Sequence, residues 1–288
     1  MSTTADPNRI EIALDGLHFA ECLRWRDGLL YFSDMYGDSV HSFDPGTGEL
    51  SVVGEIFHPG GIGWLPDGTM LVVASEDRRI MRVDAAGNAP YADLSEVAPG
   101  WANDLLVDAT GRAYVGNFGY DLFAGEQRST RLIRVDRDGA IDVEPGELLF
   151  PNGMVKRSDG ALIVAETFGH RLAVFSIGDD GHVEPAGSIA LESDSTPDGI
   201  CIDAEDGIWV ASALTGEVLR VDAGGRVSAR HSFSQNPYAC MLGGEDRRTL
   251  FVATAPDHEP AGRRARTEGR IEALRVEVPG VGPDGLGG

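Results

Sequence analysis

The sequence predicts an all-β fold, a six-bladed β-propeller, and three observations carry that expectation. A three-strand pattern recurs six times along the 288 residues. Its runs are short, rich in Val, Ile and Leu, and broken by Gly-containing turns before a helix could form. Copies begin roughly every 40 to 50 residues, the length of a propeller blade.

The copies read in order as apolar runs at 21–25, 29–33 and 39–44, then 61–65, 70–74 and 79–84, then 103–107, 113–116 and 131–136. The last three are 152–155, 162–166 and 171–175; 198–202, 208–212 and 217–222; and a weaker set at 239–242, 250–254 and 270–276. A blade cannot bury both its faces alone, so the copies stack around an axis and the ring must close. Residues 9–14 are the expected closing strand, pairing onto the run at 270–276. One domain over 9–278 follows, with 1–8 and the Gly/Pro-rich 279–288 expected to be flexible termini.

Composition narrows the function. Net charge is −22, from 46 acidic and 24 basic residues, so the surface repels phosphate backbones and nucleic acid is not an expected partner. Lys156 is the single lysine, which leaves Schiff-base chemistry almost without a nucleophile. Cys22, Cys201 and Cys240 are too few and scattered for a disulfide framework; each falls in a first strand, where a small hydrophobe packs. The polar start lacks a signal-peptide core and no apolar run is long enough for a bilayer. The expectation is a soluble cytoplasmic protein without a membrane partner, monomeric or homodimeric.

In a propeller the first strand of each blade lines the central channel. The matching position in the six copies reads Glu21, Gly61, Asn103, Asn152, Asp198 and Ala239. Packing alone has no need of four oxygen-bearing side chains there. Converging Glu and Asp resist joint ionisation unless a cation joins them. A hard divalent cation accepts carboxylate and amide oxygens, so Ca²⁺ leads, with Mg²⁺, Mn²⁺ and Zn²⁺ as alternatives. Asn152-Gly153 and Asp198-Gly199 are also ordinary turn dipeptides. Matching register in four copies favours ligands over turns. The Asp residues that end third strands, Asp44, Asp84, Asp136 and Asp222, read as turn formers.

At these residues the chain resembles the senescence-marker-protein (regucalcin)/gluconolactonase family of metal-dependent six-bladed propellers, over nearly all six repeats. The motifs are Trp101-Ala-Asn103-Asp104, Phe150-Pro-Asn152-Gly153 and Pro197-Asp198-Gly199, with Glu21 before Trp25. The resemblance implies metal binding by Glu21, Asn152 and Asp198, and a substrate or metal contact by Asn103. The Glu-Asn-Asn-Asp set also looks like that of diisopropylfluorophosphatase propellers.

The resemblance implies a lactonase-type hydrolase acting on a small-molecule lactone or ester. Its cation serves as Lewis acid, with Asp198 as a possible base and Asn103 orienting carbonyl or water. Lactone-opening members often carry Arg two residues before the first asparagine; Trp101 stands here, which points to a substrate less polar than a sugar lactone. Trp101, Asn117, Tyr120, Glu166, Phe168 and His170 are candidates for the substrate wall, and His18 and His170 for proton shuttles. Two alternatives remain open: phosphotriester hydrolysis on the same metal, and a non-catalytic calcium-binding propeller.

Overall fold

The computed structural model describes residues 9–122 and 124–282. Six four-stranded antiparallel sheets follow one another along the chain. The first strands are Ala20–Arg26, Pro59–Trp64, Ala102–Val107, Pro151–Lys156, Pro197–Ile202 and Asn236–Gly243. Each touches the first strand of the next blade, and Asn236–Gly243 returns to Ala20–Arg26, so the inner ring is closed. The six expected repeats are therefore six blades of a propeller.

Second strands are sandwiched between neighbouring blades. Met70–Ala74, Ala113–Asn117, Leu162–Glu166 and Ile208–Ser212 are buried at every position. That is why they read as unbroken apolar runs instead of alternating ones. Outer strands lose one of these neighbours, and Val227–Ser232 alternates half-buried with exposed residues. Asp27 and Gly28 both have positive φ, 51° and 83°, the backbone of a tight two-residue hairpin between the first and second strands of blade 1.

Closure follows the expected route. Glu11–Leu17 pairs antiparallel with Gly269–Arg275, from Glu11 opposite Ala273 to Leu17 opposite Gly269. The sixth blade is thus built from both ends of the propeller sequence. The chain after Val278, expected to be a flexible tail, stays against the ring as far as it is described. Pro279 O accepts from Ala204 N, Gly280 N donates to Arg247 O, and Val281 packs on the core. Residues 1–8 and 283–288 lie outside the described residues.

Side-chain turns confirm part of the Asp reading. Asp44, Asp84 and Asp222 accept from the amides of Gly46, Ala86 and Gly224 at 2.8, 2.8 and 2.9 Å. Asp136 differs, since its carboxylate pairs with Arg112 and Arg134. The three cysteines are free and buried. No helix among the described residues is long and apolar enough to cross a membrane.

Candidate active site in the channel

Every first strand breaks register near its start, one residue later in blade 1 than in blades 2 to 5. The break lies between Glu21 and Arg24, Pro59 and Ile62, Ala102 and Leu105, Pro151 and Met154, Pro197 and Ile200, and Pro237 and Ala239. Such a bulge re-aims the side chain that sits on it. In blades 2 to 6 the residue after the last regular pair is Gly60, Asn103, Asn152, Asp198 or Tyr238. In blade 1 Glu21, which follows the Ala20–Asp34 pair at the strand end, stands at the matching position and is itself paired with Ser33. Two positions therefore correct the sequence register: Gly60 and Tyr238 are the equivalents of the four polar residues, not Gly61 and Ala239.

Gly61, Gly153 and Gly199 serve the next strand over. A Cβ on Gly61 would lie 2.3 Å from Leu105 N, on Gly153 2.6 Å from Ile200 N, and on Gly199 2.7 Å from Ala239 Cα. All three neighbours are backbone, so these glycines set how closely the inner strands approach.

Glu21, Asn103, Asn152, Asp198 and Tyr238 line one cleft. Asn103 Nδ2 donates to Pro151 O at 3.1 Å. Asn152 Nδ2 faces Thr167 Oγ1 at 3.4 Å and also bonds the Asp198 carboxylate; Thr167 Oγ1 in turn donates to Pro197 O at 2.8 Å. With their amide nitrogens tied down, both asparagines keep a carbonyl oxygen as the free end. Asp198 Oδ1 is buried and accepts no hydrogen bond among the described residues.

Charge on this floor is one-sided. Burial first, then Asp198 and Asp104, push the Glu21 carboxyl well above the usual range. Burial and then Asp104 do the same to Asp198, opposed by the Asn152 hydrogen bond. Asp104 itself is matched by Arg24, whose Nη2 lies 2.7 Å from its Oδ1 with both side chains buried. Arg24 also reaches Ile62 O and Leu105 O, so it joins blades 1, 2 and 3 beneath the cleft. Subtracting that pair leaves two carboxylates, the charge a dication would offset. Among the described residues no three His, Cys, Asp or Glu side chains form a metal-holding group. A cation here would therefore draw on the carboxamides as well, a donor set of oxygens only.

The walls are aromatic. Trp101 stacks between His58 at 4.9 Å and Phe118 at 6.0 Å. Phe118 stacks on Phe150 at 4.4 Å, and Phe150 meets Phe168 edge-on at 5.1 Å. On the other side Phe19 contacts Tyr36 at 5.4 Å and Tyr238 at 4.6 Å.

Trp101 and Phe168 thus line the cleft as the sequence suggests, but four other wall candidates do not. Asn117 is a loop clamp: its Nδ2 donates to Arg131 O, and its Oδ1 accepts from Gly119 N and Thr130 Oγ1. Glu166 is buried against Arg171, which donates to it at 2.6 Å. Both end second strands, one step farther from the axis, opposite Ala102 and Pro151. Tyr120 reaches only the back of Phe150, at 6.3 Å, and is not among the lining residues. His170 and His18 hold backbone carbonyls, Ser195 O at 2.6 Å and Arg263 O at 3.0 Å, and neither lines the cleft.

Sequence reading missed a periodic set. The first residue after a second strand lines the cleft in four blades: Met35, Phe118, Thr167 and Ala213. The residue just before a first strand is Phe19, His58, Trp101 or Phe150 in blades 1 to 4. Both registers are visible in the repeat once strand ends are fixed.

Comparison with other proteins places the chain. The 6-deoxy-6-sulfogluconolactonase of Pseudomonas putida is 28% identical over 273 residues, covering 90% of this chain and 92% of its own. The pentonolactonase of Haloferax volcanii is 28% identical over 233 residues, 78% of this chain and 77% of its own. Among solved structures, a gluconolactonase of Xanthomonas campestris superposes with a TM-score of 0.76 at 19% identity, over 97% of this chain and 94% of its own. A calcium-binding regucalcin of Agrobacterium tumefaciens gives 0.76 at 21% identity, over 92% of each chain. The model of the SMP-30/gluconolactonase/LRE-like region matches residues 19–256, nearly the whole ring, and the chain belongs to that family.

Proposed function

We propose that this protein is a metal-dependent hydrolase that opens a lactone less polar than a sugar lactone. The observation that carries the reading is the floor of the cleft. Glu21, Asn152 and Asp198 all line it with side-chain oxygens, and Asp198 Oδ1 accepts no hydrogen bond among the described residues, which supports a shared cation. Relatives named as lactonases over most of their length support the reaction class. The oxygen-only donor set favours Ca²⁺, as does the likeness to a calcium-binding regucalcin.

Glu21, Asn152 and Asp198 would hold the cation. When bound, it supplies Lewis-acid polarisation of a carbonyl oxygen and acidifies a water. Asn103, anchored through Nδ2 on Pro151 O, keeps its carbonyl oxygen and second N–H to orient substrate or water. Asp198 Oδ1 is the acceptor for the proton of the attacking water. Tight ligation and efficient base action cannot coincide on one carboxylate, so the two roles fall at different moments. Water adds to the carbonyl carbon, the ring C–O bond breaks, and the proton passes to the departing alkoxide to give a hydroxy acid. The apolar walls exclude bulk water and strengthen each of these polar contacts.

The test is proton release from a lactone panel and a phosphotriester, with native, chelated and Ca²⁺-restored protein. Lactone opening should vanish on chelation, return with Ca²⁺, and be absent in Asp198→Ala. Full turnover in Asp198→Ala, or in the chelated protein, overturns the assignment. Turnover of the phosphotriester alone would move the activity to that class of ester.

A further inference from the structure

We infer that the cleft seats an uncharged ligand carrying a flat aromatic group, which on the lactone-opening reading is the substituent of the lactone. The inference rests on that reading for the reaction, but the seat itself rests on separate observations. Blades 1 to 4 place a ring two residues before the channel-facing position, in the same register as the polar floor: Phe19, His58, Trp101 and Phe150. Packing between blades does not ask for a ring there, since blades 5 and 6 carry Thr196 and Asn236.

Phe150, which lines the cleft, sits at φ 63°, and His58, which does not line it but packs against Trp101, at φ 46°, backbone that non-glycine residues rarely adopt. Such residues persist only where the surroundings over-determine them. Phe118 and Phe168 extend the same wall, with Phe118 stacked on Phe150 at an interplanar angle of 16°. Leu214, 55% exposed, continues the apolar surface to the lip. Among the described lining residues there is no Arg or Lys. A polyhydroxylated ring would leave hydroxyls that face Trp101, Phe118, Phe150 and Phe168 short of partners. A flat ring can instead add to the stack.

Three lactones separate the possibilities: γ-phenyl-γ-butyrolactone, unsubstituted γ-butyrolactone and D-glucono-1,5-lactone, each with the Ca²⁺-loaded protein. Binding of 2-phenyltetrahydrofuran, which has the same rings and no ester, is measured alongside by calorimetry. We expect kcat/KM for the phenyl lactone to exceed both others by about a hundredfold or more, since one methylene alone is worth 10- to 200-fold in an apolar pocket. Trp101→Ala and Phe150→Ala should each lower it about tenfold, chiefly through KM, and narrow the preference. The ether should bind saturably to wild type and more weakly to both variants. Glucono-lactone turnover equal to or above that of the phenyl lactone overturns the inference while leaving lactone opening intact. If no lactone is opened but the ether still binds, the reaction reading fails and the aromatic seat stands. No ether binding, with no preference for the phenyl lactone, removes the seat.

Discussion

Replacing Gly153 by alanine probes packing and site together, because Gly153 lies between Asn152 and the strand that carries Asp198. The added Cβ would sit 2.6 Å from Ile200 N, 2.8 Å from Asp198 O and 2.9 Å from Gly199 Cα. Each contact is with backbone, so no side chain can swing away. The first strands of blades 4 and 5 must separate by several tenths of an ångström, and the ring resists because it is closed. Overpacking of this kind costs about 1–3 kcal/mol. For a domain of this size that is a fall in Tm of roughly 3–10 °C. Separation of the strands also moves Asn152 away from Asp198, so Ca²⁺ affinity should fall about tenfold or more, as for other displaced ligand shells. Gly160→Ala is the comparison. Its φ is +87° and nothing lies within 4 Å of the new Cβ. It should cost about 1–2 kcal/mol of left-handed strain and leave Ca²⁺ affinity unchanged. Thermal unfolding and calorimetric Ca²⁺ titration of both variants check this. A Tm equal to that of wild type and unaltered Ca²⁺ binding in Gly153→Ala would refute the reasoning.

Three further perturbations follow from the same contacts. Asn117→Ala leaves Arg131 O, Gly119 N and Thr130 Oγ1 without their buried partner, so stability should drop by about 2–3 kcal/mol. Its kcat/KM on any lactone turned over should stay within about threefold of wild type; a larger loss would return Asn117 to the substrate wall. Arg24→Met strands the buried Asp104 carboxylate and should cost about 3–5 kcal/mol in chemical denaturation, much of it recovered in the double variant with Asp104→Asn. Without a cation, burial and neighbouring carboxylates hold Asp198 above its unfolded value, so the native state keeps a proton that the unfolded chain loses from about pH 4 upward. Asp198 therefore destabilises the cation-free protein increasingly as pH rises through that window. Asp198→Asn should be more stable than chelated wild type at neutral pH, and less stable than wild type once Ca²⁺ is present. Thermal unfolding that ranks chelated wild type above Asp198→Asn at neutral pH contradicts this.

The blades are legible in the sequence because a buried second strand such as Leu162–Glu166 opens on an apolar run, Leu162 to Ala165, and an Asp-Gly turn, Asp159-Gly160, marks its start. Glu21, Asn103, Asn152 and Asp198 are legible because six copies allow a register to be compared. The same comparison errs by one at Gly61 and Ala239. The bulge there decides which residue faces the channel, and a bulge is a property of strand pairing that no single run of residues displays. Asn117 and Glu166 mislead for a related reason. Polar groups at strand ends serve loops as readily as substrates, and only their partners, Thr130 and Arg171, tell the two apart. Trp101 is visible as an oddity in the motif. Its membership of a wall with Phe118 and Phe150 emerges only when the loops of three blades meet.

The central claim is that Glu21, Asn152 and Asp198 hold one divalent cation in the channel. Calorimetric titration of chelator-treated wild type, Glu21→Gln and Asp198→Ala with Ca²⁺ tests it most directly. Wild type should show a single saturable site that is lost in both variants while their folds persist. Absence of binding in wild type, or undiminished binding in Asp198→Ala, would contradict it.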